Sequence, residues 1–305
     1  MQNLYVRAEA VGTIPLAEVS GLAVGSDAQG RPMLLAIGDR AASVARAGLD
    51  HGPADLQWRT LDLRDAEGTR IPTRDPQLEA LAADGAGGML IAQESPNRAE
   101  FFDVPTHRVR ARITLEIGRA DGLAELRRSW EDESCSHSEA VVLLRDGHLL
   151  VGKEKDPVAL LEFGPAGATP RGFGPDRWLG PGEGWSAPDG DATLTVLAVW
   201  LPDAPTAPAC PDLSDAAVAP SGALLLLSDQ ARTVLVVDPA APGDDPFRGR
   251  FHASAAWQLA GTEAKPEGIA VLPEGDVLIA CDRRKVKTNL FVVRQQVWAA
   301  AGSNR

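Results

Sequence analysis

The sequence predicts an all-β protein, a single five-bladed β-propeller closed by an N-terminal strand. Three observations predict it. A two-strand unit with acids at both ends recurs along the chain. Each copy continues into a third strand and most into a fourth. The last copy lacks its fourth strand, which the N-terminus can supply.

The repeat reads "EALAADGAGGMLIAQE" (Glu79–Glu94), "SEAVVLLRDGHLLVGKE" (Ser138–Glu154), "DAAVAPSGALLLLSD" (Asp215–Asp229) and "EGIAVLPEGDVLIACD" (Glu267–Asp282). A looser copy, "SGLAVGSDAQGRPMLLAIGD" (Ser20–Asp39), has Ser20 in the acid's place and Glu18 two residues earlier. The acid-to-acid offsets are 15, 15, 14 and 15 residues in the four tight copies. Within each copy, two apolar runs flank a turn, the pattern of a β-hairpin. The start of its first strand and the end of its second then share one edge, so both acids of every copy face the same way.

Third strands are predicted at Arg98–Val104, Val158–Phe163, Thr233–Asp238 and Thr288–Val293. Fourth strands are predicted at Trp58–Leu63, Arg110–Ile117, Leu194–Leu201 and Ala253–Leu259, with Leu4–Ile14 closing the last blade. The competing count is six blades, with a degenerate blade inside residues 164–210. One array spans residues 1–305, so a single domain is expected. The 30 Gly and 23 Pro suit a fold of many turns. Two segments leave the repeat. Gly164–Asp191, rich in Gly and Pro, is a loop on the face opposite the acids. Arg119–Ser138 includes "DGLAELRRSWEDE", whose Leu123, Leu126 and Trp130 have helical spacing and could form part of a lid.

Composition removes several function classes. The net charge of −12 argues against nucleic acid and anionic membrane surfaces. No segment approaches the roughly 20 apolar residues of a membrane span, and the N-terminus shows no signal-peptide pattern. Three cysteines suit reduced thiols and a cytoplasmic location, although Cys135 and Cys210 could lie near each other. There is no P-loop, dinucleotide fingerprint or nucleophile elbow, and no Cys/His spacing of a zinc site.

The acids carry the chemistry. In a propeller the first strand of each blade lines the central channel. Glu79, Glu139, Asp215 and Glu267 therefore converge on one axis, with Ser20 or Glu18 from the first copy. Asp39, Glu94, Glu154, Asp229 and Asp282 form a second ring at the same mouth. Carboxylates about 4 Å apart repel by roughly 4 kcal/mol at an effective dielectric near 20. They need protons, a cation or basic partners. Hard oxygen ligands suit Ca²⁺, so the first ring is the candidate metal site, with another divalent cation or none as alternatives. Strand-end acids can equally accept backbone N–H bonds from the next turn. Arg40, Lys153, Lys155 and Arg283 flank the second ring, as salt-bridge partners or as contacts for an anionic ligand. His137, in Glu18's place, is a candidate general base, and Lys155 the preferred anion contact.

The motifs "EVSGLA…GD", "LEALA…QE", "SEAVVLL", "DLSDAAV…LLLLSDQ" and "KPEGIAV…IACD" resemble the calcium-binding propellers known as SdiA-regulated proteins. They also resemble the esterase-like phytase domain and, more distantly, NHL-repeat propellers. The resemblance spans about Glu18 to Val293. The first family implies a five-bladed ring with a Ca²⁺ site, and the second implies phosphoester or ester hydrolysis. Two functions follow as expectations. One is a metal-assisted hydrolase of an anionic ester, phosphoester or lactone at the channel mouth. The other is a non-enzymatic, calcium-stabilised propeller that binds a ligand or a protein partner.

Overall fold

The computed structural model describes residues 1–72, 76–93, 97–132, 138–262, 264–284 and 287–294. After two N-terminal strands, β1 (Gln2–Arg7) and β2 (Glu9–Gly12), the ladders fall into four-stranded units. Unit one holds β3 (Val19–Ser26), β4 (Pro32–Gly38), β5 (Ala41–Gly48) and β6 (Arg59–Asp62). Unit two holds β7 (Leu78–Ala83), β8 (Gly88–Gln93), β9 (Arg98–Asp103) and β10 (Arg108–Glu116), followed by the helix α1 (Ala124–Glu131). Unit three holds β11 (Ser138–Leu143), β12 (Leu149–Lys153), β13 (Ala159–Pro165) and the long β14 (Gly190–Pro202). Unit four begins with β15 (Asp215–Val218), β16 (Leu224–Ser228) and β17 (Thr233–Val237). The short β18 (Gly249–Phe251) then pairs with β14, and β19 (Ala253–Ala260) completes unit four. Unit five holds β20 (Lys265–Val271), β21 (Val277–Asp282) and β22 (Leu290–Val293), completed by β2.

The inner strands touch in the cyclic order β3, β7, β11, β15, β20 and back to β3. The fold is a β-propeller. Its core lies between neighbouring sheets, not within any one of them. Leu90 and Phe101 of unit two pack with Val151 and Phe163 of unit three. Leu225 and Trp257 of unit four pack with Ile279 and Phe291 of unit five. Sheets covered on both faces need apolar residues at successive positions, which is why β8 reads "GMLIAQ" and β16 "LLLLS", buried throughout.

Three features depart from a plain repeat. The N-terminal segment is divided. β2 pairs antiparallel with β22 and closes unit five, while β1 runs parallel to β19 as a fifth strand of unit four. Thus Leu4–Ile14 serves two sheets, and the Asn289 side chain clasps the closure by accepting from Ile14 N at 2.7 Å. The outer strands β10 and β14 pair in parallel, joining units two and three into one continuous sheet. The helix forms where expected, with Leu126 and Trp130 buried. Trp130 packs on Phe163 and donates to Leu115 O at 3.1 Å, so this face belongs to the core between units two and three.

Candidate functional site

The recurring acid has a backbone cause. In β7, β11 and β20 the ladder register slips at Glu79, Glu139 and Glu267, and in β3 it slips at Ser20. A bulge takes one residue out of the pairing and re-aims its side chain. The small residue after each acid has a cause as well. A Cβ on Gly21 would come within 3.2 Å of Leu81, and one on Gly268 within 3.2 Å of Leu22. Neighbouring inner strands leave little room for a side chain there.

Asp215 differs from its counterparts. It is fully buried, and its Oδ1 accepts from Ala216 N at 2.8 Å. Its Oδ2 accepts from Ile269 N at 2.7 Å and Leu22 N at 3.4 Å. One carboxylate therefore ties together three inner strands, β15, β20 and β3. Burial pushes its pKa well above the usual range, against those backbone donors.

At the mouth, acids and lysines alternate. Lys265 reaches Asp229 Oδ2 at 2.9 Å and also bonds Glu267. Burial pushes the Glu267 carboxyl up to about 7 despite Lys265, with Asp282 and Glu154 adding to the rise. Lys155 bonds Glu154 Oε1 at 3.1 Å. Partial burial works against its charge, but Glu154 and Glu139 hold its pKa above the ordinary lysine value. Lys153 is fully buried, and its Nζ donates to Lys155 O. Glu79 and Glu139 are half-buried.

A second group forms where units one and five meet. Glu18 pairs with Arg40, and its N–H donates to Arg283 O at 3.0 Å. Burial and the Glu18 charge push Asp39 up to about 6 and raise Asp282. Asp39 Oδ1, Asp282 Oδ1 and Asp229 Oδ1 are buried without a hydrogen-bond partner among the described residues. Such oxygens call for a proton or a cation.

Two residues escaped the sequence reading. Lys265 lies two residues before its acid, the place of Glu18 and His137, so the repeat carried the signal. Asp212, the first acid of "DLSD", is buried, bonds the Ser228 hydroxyl and accepts from Gln230 N at 3.3 Å. Burial raises its pKa against those hydrogen bonds and the charges of Lys265 and Lys155. His137, Cys135 and Glu94 lie outside the described residues.

The oxygen donors are of the right kind for a hard cation. Among the described residues, however, no group of three or more acid, His or Cys side chains could hold a metal ion. Of the four first-ring acids, Asp215 is engaged by backbone N–H groups and Glu267 by Lys265.

No protein-family model matches the chain, and no curated protein matches it significantly. Among solved structures it is similar to the glutaminyl cyclase of Myxococcus xanthus, with 13% identity over 96% of this chain and 98% of that one and a TM-score of 0.51. It is also similar to a streptogramin B lyase (12% identity, 92% of this chain and 95% of that one, TM-score 0.46). Regucalcin, a calcium-binding protein of Agrobacterium tumefaciens, is a further neighbour (12% identity, 96% and 95%, TM-score 0.47). At such identity the first of these shows the fold alone, a β-propeller. No helix among the described residues is long and apolar enough to cross a membrane.

Proposed function

We propose that this chain is one five-bladed domain whose charged mouth binds a small anionic ester, phosphoester or lactone and hydrolyses it by general acid–base chemistry. The observation that carries this is Glu267. It is a buried carboxyl held at about 7, in contact with Lys265, at the same mouth as the half-exposed Lys155. A group titrating near neutrality can both accept and donate a proton. Lys155 and Lys265 supply charge for the anionic part of the ligand. The Ca²⁺ expected at the first ring takes no part in this reading, because no three of the described acids are grouped to hold it and Arg40 already faces Asp39. His137 remains the alternative base. Buried free thiols at Cys210 and Cys281 suit a cytoplasmic location.

The esterase-like phytase resemblance agrees with hydrolysis, and the SdiA-regulated resemblance with the five-bladed ring. The direct test is hydrolysis of phosphoesters, carboxylic esters and lactones with added Ca²⁺ or with EDTA. Glu267→Gln should lower kcat by about 10²–10⁴-fold, and Lys155→Ala should raise KM. Absence of turnover on every class, with ligand binding retained, would favour the non-enzymatic binding propeller.

A further inference from the structure

At the end of the channel opposite the carboxylates lies a cavity of ≈ 790 Å³. The turn-end halves of all five inner strands line it, with Leu22, Leu81, Val141, Ala217 and Ile269 among the residues. Trp178, from the Gly/Pro-rich segment between β13 and β14, lines it from outside the ring. That segment forms a strap. Trp178 Nε1 donates to Gly222 O in unit four at 2.9 Å. Arg145 N in unit three donates to Arg177 O at 2.9 Å. Gly85 N in unit two donates to Glu183 O, and Trp185 N to Asp84 Oδ2, each at 3.0 Å. These ties all go to units two, three and four. Toward units one and five the lining ends in exposed Gly30, Pro32 and Pro273. The cavity thus has a fixed roof on one side and an approach on the other.

Its chemistry is the reverse of the mouth's. The two charged residues in the lining are both engaged. Asp84 accepts from Ala86 N, Gly88 N and Trp185 N, and Arg145 pairs with Glu183 and donates to Asp176 O. What is left is mostly apolar, with the indole of Trp178, the hydroxyls of Ser26 and Ser221 and inner-strand backbone as its polar part. Asp215 separates the two compartments, because Leu22 and Ile269, whose N–H groups it binds, lie at the inner end of the cavity. The volume lies in the range of small-molecule sites, roughly 300–1,000 Å³.

We propose that this cavity binds a small uncharged apolar molecule, aromatic or branched aliphatic, independently of the charged mouth. The probe is N-phenyl-1-naphthylamine, an uncharged fluorophore that brightens in apolar surroundings. It should bind saturably to the whole protein, with emission sensitised by tryptophan. Ala217→Phe and Ala83→Phe each fill the cavity from a different strand. Either variant that keeps the wild-type melting temperature should lose at least tenfold in affinity. Trp178→Phe should keep binding but reduce the sensitised emission, which tests the location even if both filling variants misfold. Lys155→Ala should leave binding unchanged.

Absence of saturable binding would overturn the proposal. So would wild-type affinity in a folded filling variant, or sensitised emission unaffected by Trp178→Phe. Binding that appears only after removal of residues 295–305 would assign the cavity to that segment and overturn it as well.

Discussion

The two ends of the channel are built from the same five strands and differ in almost every property. At the start of the strands, bulges turn Glu79, Glu139 and Glu267 out of the ladder, and lysines fill the spaces between carboxylates. At the far end the strands run in register and line a mostly apolar cavity under a strap. A one-residue irregularity in the backbone is enough to convert an apolar strand into a charged mouth. Regular pairing then restores the apolar face a few residues later. The lesson is that a repeat fold can carry two chemically opposite sites along one axis, provided something closes the space between them. Here that is Asp215.

The broadest perturbation should strike both ends together. Deleting Met1–Gly12 removes β1 and β2 and exposes the edge of unit five, so stability should fall by several kcal/mol. A denaturant melt of the truncated chain checks this, and an unchanged midpoint would show that the ring does not depend on that closure.

Asp215→Ala should break the partition itself. It leaves the Ile269 N–H buried without its acceptor and weakens the tie to Leu22, at a cost of about 3 kcal/mol. The melt should shift while Asp215→Asn, which keeps an acceptor oxygen, shifts less. Equal effects would argue against the hydrogen-bonding role.

The charged end should respond to pH through Glu267. Glu267 is raised from its ordinary 4.5 to about 7, so its protonated form favours the folded state. That contribution is complete below about 4.5 and disappears as pH climbs through about 7. It is worth on the order of 3 kcal/mol. Thermal melts between pH 5 and 8 should show stability falling, and Glu267→Gln should flatten the slope. A slope that the substitution leaves intact would remove Glu267 as its source.

The strap end should instead respond to Asp84→Ala, which deprives Ala86 N, Gly88 N and Trp185 N of their acceptor, for a loss of about 1–3 kcal/mol. Hydrogen exchange of the Trp185 amide should quicken. The smallest effect belongs to Lys155→Ala, within about 1 kcal/mol, because its ion pair with Glu154 is part-exposed. A larger loss would make Lys155 a structural residue.

Much of the fold was legible because its cause is local. Alternating runs and turns at a fixed spacing gave the hairpins, and the acids at their ends gave the charged mouth. The third strands Arg98–Asp103 and Thr233–Val237 fall within the expected segments. Even Lys265 was within reach, standing where Glu18 stands in the first copy. Other features depend on partners distant in the chain. Asp215 looked equivalent to Glu79 and Glu139 until its carboxylate met N–H groups 54 and 193 residues away. Local pattern cannot separate an acid aimed at solvent from one satisfied by distant backbone. The sequence by itself determined that the chain repeats, that each repeat is a sheet, and that one end of the ring is acidic, since periodicity and residue type are properties of short stretches. Only the tertiary structure decided which acids are engaged, that the N-terminus serves two sheets, and that residues 173–185 roof an apolar cavity. Each of these depends on which long-range groups satisfy a buried donor or cover an apolar face.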